Sequence, residues 1–214
     1  GNRRFAAKTT ISIFKSYSLG FQKAEEVFDW CISTPGLKVA TIYALSAENL
    51  RRAPGQLKLL LGLYRKNLED LIDSKKIHNN KVRVNIAGQL SRVRQLASVV
   101  DRVHATTANY SRFILNIALS YGGREEIVHA ARAAASELPP EKIDERELSK
   151  RLYVRSEPDL LVRTSGTQRL SNFLPWQTAY TELYFSPKLW PEFERRDYRA
   201  ALKHYEKTQR NFGR

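Results

Sequence analysis

Apolar residues recur at helical spacing through residues 20–33, where Phe21, Ala24, Val27, Phe28, Cys31 and Ile32 share one face and Pro35-Gly36 closes the segment. The next run, LKVATIYAL (37–45), lacks polar alternation and predicts a buried strand leading into a polar cluster at Ser46–Asn49. GQLKLLLGLYRKNLEDLIDSKK (55–76) returns to the helical period with a broad apolar face. KVRVNIAG (81–88) predicts a strand, and a basic, polar helix follows over about 91–108. RFILNIALSYGG (112–123) predicts a strand ending in glycines, with REEIVHAARAAASEL (124–138) as the next helix. Pro139-Pro140 marks a loop, and IDERELSKRL (143–152) opens with Asp144 three residues before Glu147, a capping-type start. DLLVRTSG (159–166) and TELYFSP (181–187) predict two further strands, and RRDYRAALKHYEKTQR (195–210) a terminal helix.

Strands alternate with helices throughout, and several strands are continuous aliphatic runs. The expected fold is α/β, a single domain with a mostly parallel sheet flanked by helices. No linker, repeat or low-complexity tract marks a second domain, so residues 1–214 are expected to form one. In such sheets ligands sit beyond the carboxyl ends of the strands. Three polar clusters fall there, at Ser46–Arg52, Ser120–Arg124 and Arg163–Ser171.

Composition adds little until charge is counted. The chain has 214 residues, 42% hydrophobic and 27% charged, as in a soluble globular protein. A single cysteine, Cys31, excludes an intrachain disulfide and suits a reducing compartment. No run is long enough to span a membrane, and no signal peptide is visible, which fits a cytoplasmic protein. The formal charge of +14 implies an anionic partner: nucleic acid, an acidic membrane surface or a phosphorylated small molecule.

The clusters narrow that choice. Arginine presents a planar fork of donors matched to phosphate oxygens, serine adds short hydrogen bonds, and glycine lets backbone N–H groups approach an anion. GNRR (1–4) and RTSGTQRLS (163–171) both have this composition, which suggests two anion pockets. Neither a Walker-type loop nor a GxGxxG fingerprint is present. His78, His104, His129 and His204 are scattered without ligand spacing and are read as surface or capping residues, and Cys31 as core. No Ser-His-Asp arrangement can be argued from these positions. A nucleic-acid-binding module is the rival from another class. It predicts steeply salt-dependent binding, whereas the aromatic residues here fall in expected core strands and helix faces rather than on a stacking platform. No nucleic-acid partner is expected.

GNRRFA, YALSAENLRR, LNIALSYGGREEI, PDLLVRTSGTQRLSNFLPWQTAYTELYF, LWPEF and RNFGR occur in the order and at the spacing of the cis-prenyltransferases, the undecaprenyl and dehydrodolichyl diphosphate synthase group, which the chain resembles essentially end to end. The resemblance implies condensation of isopentenyl diphosphate with an allylic prenyl diphosphate, release of pyrophosphate, Mg2+ as cofactor and a dimer, homomeric or heteromeric. It also implies peripheral contact with a membrane through the lipid product. Gly1, Asn2, Arg3, Arg4 and Phe5, with Ser46, Ala47, Glu48 and Arg52, would take the allylic diphosphate. Arg163, Arg169, Leu170 and Ser171 would take isopentenyl diphosphate, with Gly166 permitting close approach, and Glu182 would ligate the metal. Asn49 matches an asparagine often assigned to proton removal; an amide is no base, so it is read as a positioning group. Leu57, Leu60, Leu61, Tyr64, Leu68 and Leu71 would line a tunnel for the growing chain.

The chain also departs from the family pattern. An aspartate that carries metal binding and ionisation normally precedes the first motif, and a hydrophobic strand leads into it. Here Gly1 stands at the very next position, so an upstream segment is expected in the native protein. Tyr17 stands where histidine is usual, Ile13 where arginine is common, and Leu50 where an aromatic residue is common. Gln56 and Gln89 occupy commonly acidic places, Thr167 replaces a bacterial glutamate, and Asn211 replaces an arginine. These changes leave open a divergent, non-catalytic subunit of a heteromeric synthase. Such subunits usually lose the GNRR and RTSG motifs, and this chain keeps both.

Overall fold

The computed structural model describes residues 1–208, so Asn211 and the RNFGR run lie outside the described residues. The elements are α1 (Asn2–Thr9), α2 (Ile13–Ser33), β1 (Val39–Ser46), a 3₁₀ turn (Ala47–Arg51), α3 (Pro54–Ile72) and α4 (Lys75–Asn79). Then come β2 (Val82–Ala87), a 3₁₀ stretch (Leu90–Leu96), α5 (Ala97–Thr107), β3 (Phe113–Tyr121), α6 (Gly123–Glu137) and α7 (Glu145–Ser149). β4 (Leu160–Arg163), β5 (Glu182–Phe185) and α8 (Arg195–Lys207) complete the order. The chain divides into two compact units, one of Thr34–Ser156 with Leu170–Gln177, the other of Gly1–Ser33, Glu157–Arg169 and the chain from Thr178 onward.

In the larger unit β3 is the central strand of a parallel sheet ordered β1-β3-β2, with Ile117 opposite Ile42 on one side and Ile86 on the other. Phe113, Leu115, Ala118, Leu119 and Tyr121 are all buried, which explains why this strand reads as a nearly unbroken apolar run. β2 is an edge strand, and α5 covers it with acceptors: the Val84 N–H donates to Thr107 Oγ1 (3.1 Å) and the Ile86 N–H to His104 Nε2 (2.9 Å). His104 therefore does cap, and burial, opposed by Asp101 and reinforced by Arg83, holds its pKa below the ordinary value. β2 is followed by Gly88, whose φ of +141° and 2.1 Å spacing from a would-be Cβ to the Leu119 carbonyl oxygen admit no side chain.

Two helical expectations shift. The helix expected over 55–76 ends at Ile72, because Ser74 starts the separate α4 by accepting from the Ile77 N–H (3.5 Å) and His78 Nε2 meets the Ile72 carbonyl at 2.7 Å. The helix expected from 91 is first a 3₁₀ stretch, in which Val93 leaves helical geometry and is only 1% exposed. Burying that valine outweighs helix continuity in a segment whose other side chains are largely polar. The capping start at Asp144 is present, its Oδ1 accepting from the Glu147 N–H at 2.7 Å.

In the smaller unit β4 and β5 pair in parallel, with Leu160 opposite Glu182 and Arg163 opposite Phe185. α2 begins at Ile13 rather than near residue 20, with Tyr17 and Gly20 on its buried side, and α1 was not foreseen. Trp30 packs against Phe193 (6.4 Å between ring centres) and Tyr198 (5.8 Å). Cys31 is buried here, and burial pushes its thiol up to about 11 despite a hydrogen bond with Tyr198, as expected of an inert core cysteine. All strand pairing in the described residues is parallel, and the fold is α/β with helices flanking parallel sheet.

Candidate active site

In the smaller unit the site begins where β4 stops. Arg163 is the last strand residue, and Ser165 (φ +77°) and Gly166 (φ +62°) then turn the chain through left-handed conformations. The Ser165 N–H donates to the Lys188 carbonyl (2.7 Å) and the Gly166 N–H to the Ser186 carbonyl (2.9 Å). The glycine is thus needed for the turn, but its N–H secures the segment after β5 and is not directed at an anion. α1 joins this turn, Arg4 donating to Thr167 Oγ1 (3.4 Å), and the nitrogen of Gly1, which precedes the helix, stands 2.5 Å from Ser165 Oγ. Thr167 acts here as an acceptor for an arginine.

Arg3 and Arg4 are exposed in the first turn of α1, Phe5 is half-buried, and Arg163 donates to the carbonyl of the exposed Arg169. Asn2 is held from behind. Ser16 Oγ donates to its carbonyl (2.7 Å), and a Cβ on Gly20 would stand 2.7 Å from its side chain. Trp190 Nε1 anchors that stretch of α2 by donating to the Gly20 carbonyl (2.8 Å).

Glu182 opens β5, opposite Leu160, with its N–H bonded to the Asp159 carbonyl (3.0 Å). Three residues of strand, roughly 10 Å, separate its level from that of Arg163. Because side chains alternate along a strand, the two also project from opposite faces. This sheet does not bring Glu182 to the Arg163 turn. Among the described residues no three acidic, histidine or cysteine side chains form a metal-binding group.

In the larger unit β1 runs into the 3₁₀ turn, and Ser46 caps it: its Oγ accepts from the Asn49 N–H (3.3 Å) and from Asn49 Nδ2 (2.6 Å). Asn49 Oδ1 in turn accepts from Arg52. Glu48 is exposed, with Asn172 Nδ2 donating to its Oε1 at 3.1 Å. Burial acts against its charge, but its own backbone N–H, Asn172, Ser46 and Arg51 outweigh that and hold its pKa below the ordinary value. Ala47 is half-buried and faces Gly122. Leu170 closes a turn by accepting from the Phe173 N–H (3.2 Å), and Ser171, Asn172 and Leu174 all have positive φ (51°, 63° and 50°).

Sequence reasoning missed the support beneath this cluster. Glu126, in the first turn of α6, is fully buried; it accepts from the Tyr121 hydroxyl, the Val154 N–H (2.9 Å) and Gln177 Nε2 (3.1 Å). Gln177 also donates to the Val154 carbonyl (2.7 Å), and burial, then Glu126, raises the Tyr121 pKa far above its ordinary value. Tyr121, Ala87, Ala118, Val154 and Leu174 form the core beneath, with Phe173 stacked on Tyr43 at 4.5 Å. The available signal was a glutamate at a core-facing position of an otherwise apolar helix face. Among the departures, Tyr17 is 5% exposed and Gln89 accepts from Arg92 (3.2 Å).

Arginine, serine and asparagine gathered at the carboxyl ends of parallel strands are the equipment of an α/β protein that binds small anionic substrates. The chain belongs to the undecaprenyl diphosphate synthase family of prenyltransferases, whose Prenyltransf model matches residues 1–213. A tritrans,polycis-undecaprenyl-diphosphate synthase (geranylgeranyl-diphosphate specific) from Methanopyrus kandleri is 41% identical, over 100% of this chain and 82% of that protein. An isoprenyl transferase from Thermus thermophilus is 37% identical over 100% of the chain and 86% of its own length. The crystal structure of lavandulyl diphosphate synthase from Lavandula x intermedia, in complex with dimethylallyl diphosphate, superimposes with a TM-score of 0.90 at 31% identity. That match covers 100% of this chain and 94% of that one. The protein is an enzyme of the prenyl-transferring class.

Proposed function

We propose that this protein is a Mg2+-dependent cis-prenyltransferase that extends an allylic prenyl diphosphate with isopentenyl diphosphate to a cis-polyprenyl diphosphate. The observation that carries the reading is the Arg163–Arg169 turn with Arg4 of α1 joined to it. In each round C4 of isopentenyl diphosphate bonds to C1 of the allylic partner, the C1–O bond breaks to release pyrophosphate, and a proton leaves C2. Gly1, Asn2, Arg3, Arg4, Phe5, Ser46, Ala47, Glu48 and Arg52 serve the allylic diphosphate in this reading. Arg163, Arg169, Leu170 and Ser171 serve isopentenyl diphosphate. Asn49, fixed by Ser46 and Arg52, orients reacting groups and is not the base.

Glu182 is the carboxylate assigned to Mg2+, which usually takes one or two protein carboxylates with substrate phosphates and water. A single acid fits that number, but the β4–β5 pair holds Glu182 away from the Arg163 turn and on the opposite face. An ion on Glu182 would therefore need the substrate phosphates to reach it; what it would supply there is offset of charge on the departing pyrophosphate. Leu57, Leu60, Leu61, Tyr64, Leu68 and Leu71 of α3 are the tunnel candidates; Leu60, Leu61, Tyr64 and Leu68 are buried. Dimer formation and contact with a membrane surface belong to the same proposal; no helix among the described residues is long and apolar enough to cross a membrane.

The test is incorporation of radiolabelled isopentenyl diphosphate by the full-length protein, primed with geranylgeranyl or farnesyl diphosphate and supplied with Mg2+. Label should pass into organic-extractable polyprenyl products. No incorporation, with or without a candidate partner subunit, overturns the proposal.

A further inference from the structure

Asn172 holds a position that none of the site assignments uses. Its φ of +63° lies in the left-handed region, which costs any side chain some backbone strain and which asparagine tolerates better than most. Its hydrogen bonds hold it there. Its carbonyl accepts from the Gly123 N–H (2.8 Å), and its Oδ1 accepts from the Arg124 N–H (2.8 Å), so backbone and side chain together occupy the first turn of α6. The room for this comes from two glycines. A Cβ on Gly123 would lie 2.0 Å from Pro175 Cδ and one on Gly122 3.0 Å from Asn172 Nδ2. Those bonds also settle the amide's orientation. A backbone N–H can only donate, so the oxygen must face Arg124, which leaves the NH2 toward Glu48 Oε1, 3.1 Å away, a group suited to accept. One side chain therefore ties the end of β1, the start of α6 and the Leu170–Gln177 loop together. Gln177 fastens the far end of that loop to Glu126 of the same helix turn.

We propose that Asn172 is a positioning residue for the reaction, holding the Glu48 carboxylate, and with it the Ser46–Arg52 turn, against the first turn of α6. The effect on catalysis rests on the function proposed above; the effect on Glu48 does not. The alternative role, a plain helix cap, makes a different demand. A cap needs only an acceptor oxygen, and aspartate supplies one with a charge that favours a helix N-terminus. Positioning Glu48 needs the NH2, which aspartate lacks.

The experiment compares Asn172→Asp and Asn172→Gly with the wild-type full-length protein. Asn172→Asp should keep its thermal midpoint, yet place a second carboxylate beside Glu48, where Arg51 is the nearby cation. The Glu48 side-chain carboxyl, followed by carbon NMR against pH, should then titrate at higher pH than in the wild type, and in Asn172→Gly it should lose the part of its depression that Asn172 supplies. In the labelled-substrate assay both variants should lose about tenfold in kcat and raise the KM for the allylic diphosphate, with the KM for isopentenyl diphosphate unmoved. Wild-type Glu48 titration in both variants, or wild-type kinetics in a stable Asn172→Asp, overturns the proposal. If the wild-type protein itself fails to incorporate label, the proposed function falls and the Glu48 titration alone decides the role of Asn172.

Discussion

The two units end their parallel strands differently. At the end of β4 the smaller unit gathers arginines: Arg163 and Arg169 lie in one turn, and Arg4 reaches the same turn from α1. At the end of β1 the larger unit has Arg51 and Arg52 in its cluster, and its polar side chains are engaged with one another: Ser46 with Asn49, Asn49 with Arg52, Glu48 with Asn172. The strands behind them differ as well. The outer edge of β2 is closed by Thr107 and His104, whereas Val162 of β4 and Leu183 of β5 remain 36% and 39% exposed. A cluster of like charges gains most of its stabilisation when an anion arrives, while an internally bonded cluster is already shaped before it does. On this contrast the β4 turn is a cluster whose charges await an anion, and the β1 turn is a cluster already held in shape by its own hydrogen bonds.

Removing the buried carboxyl beneath the larger cluster should have the largest effect. Glu126→Ala takes the acceptor from the Tyr121 hydroxyl, the Val154 N–H and Gln177, which keeps its bond to the Val154 carbonyl; at about 1–3 kcal/mol for each of the first two, urea denaturation should show a loss of roughly 2–6 kcal/mol. An unchanged midpoint would mean that the cluster is not preorganised from below. Arg163→Ala and Arg169→Ala address the other unit. In the function proposed above each would remove a charge-assisted phosphate partner worth about 1.5–3 kcal/mol, which corresponds to about ten- to a hundredfold in kcat/KM. The rise should appear in the KM for isopentenyl diphosphate, with lower turnover; a change confined to the allylic KM would reverse the pocket assignment.

His104 gives a smaller, pH-dependent effect. Its neutral ring accepts from the Ile86 N–H, and its folded pKa lies below the ordinary 6.5. Between those two values the unfolded chain binds more protons, so stability rises with pH there. The contribution is complete above about pH 6.5 and is lost as pH falls through the folded value. His104→Phe should cost about 1–3 kcal/mol at neutral pH and flatten this acid limb in thermal melts recorded from pH 5 to 8. The smallest effect belongs to Ser46→Ala, which removes the cap of the 3₁₀ turn for about 1 kcal/mol. It should lower kcat more than the melting point, because Asn49 loses the hydroxyl that fixes its amide.

Much of this was legible in the residues, for an identifiable reason. Burial on both faces turns a strand into an uninterrupted aliphatic run, so β1, β3 and β4 could be read directly, and with them the ends where the polar clusters fall. Arginine, serine and glycine at those ends announced an anion site without any fold. The Asp144 cap was legible because its hydrogen bond spans three residues. What failed was non-local. The break after Ile72 depends on His78 meeting a helix end, and the kink at Val93 on a core that the local sequence does not describe.

By itself, then, the sequence determined the α/β class, the parallel pairing and the arginine-rich chemistry at the strand ends, since each depends on residue type and local period, and its ordered motifs carried the resemblance to the family. The tertiary structure alone decided three things: that the Gly166 N–H is committed to Ser186, that Glu182 and Arg163 occupy opposite ends and faces of one strand pair, and that Asn172 and Glu126 hold the larger cluster in shape. The physical reason is that hydrogen bonds between Glu48 and Asn172, or Glu126 and Gln177, join residues far apart in the chain. Their partners are selected by packing, which leaves no period or motif in the sequence to read.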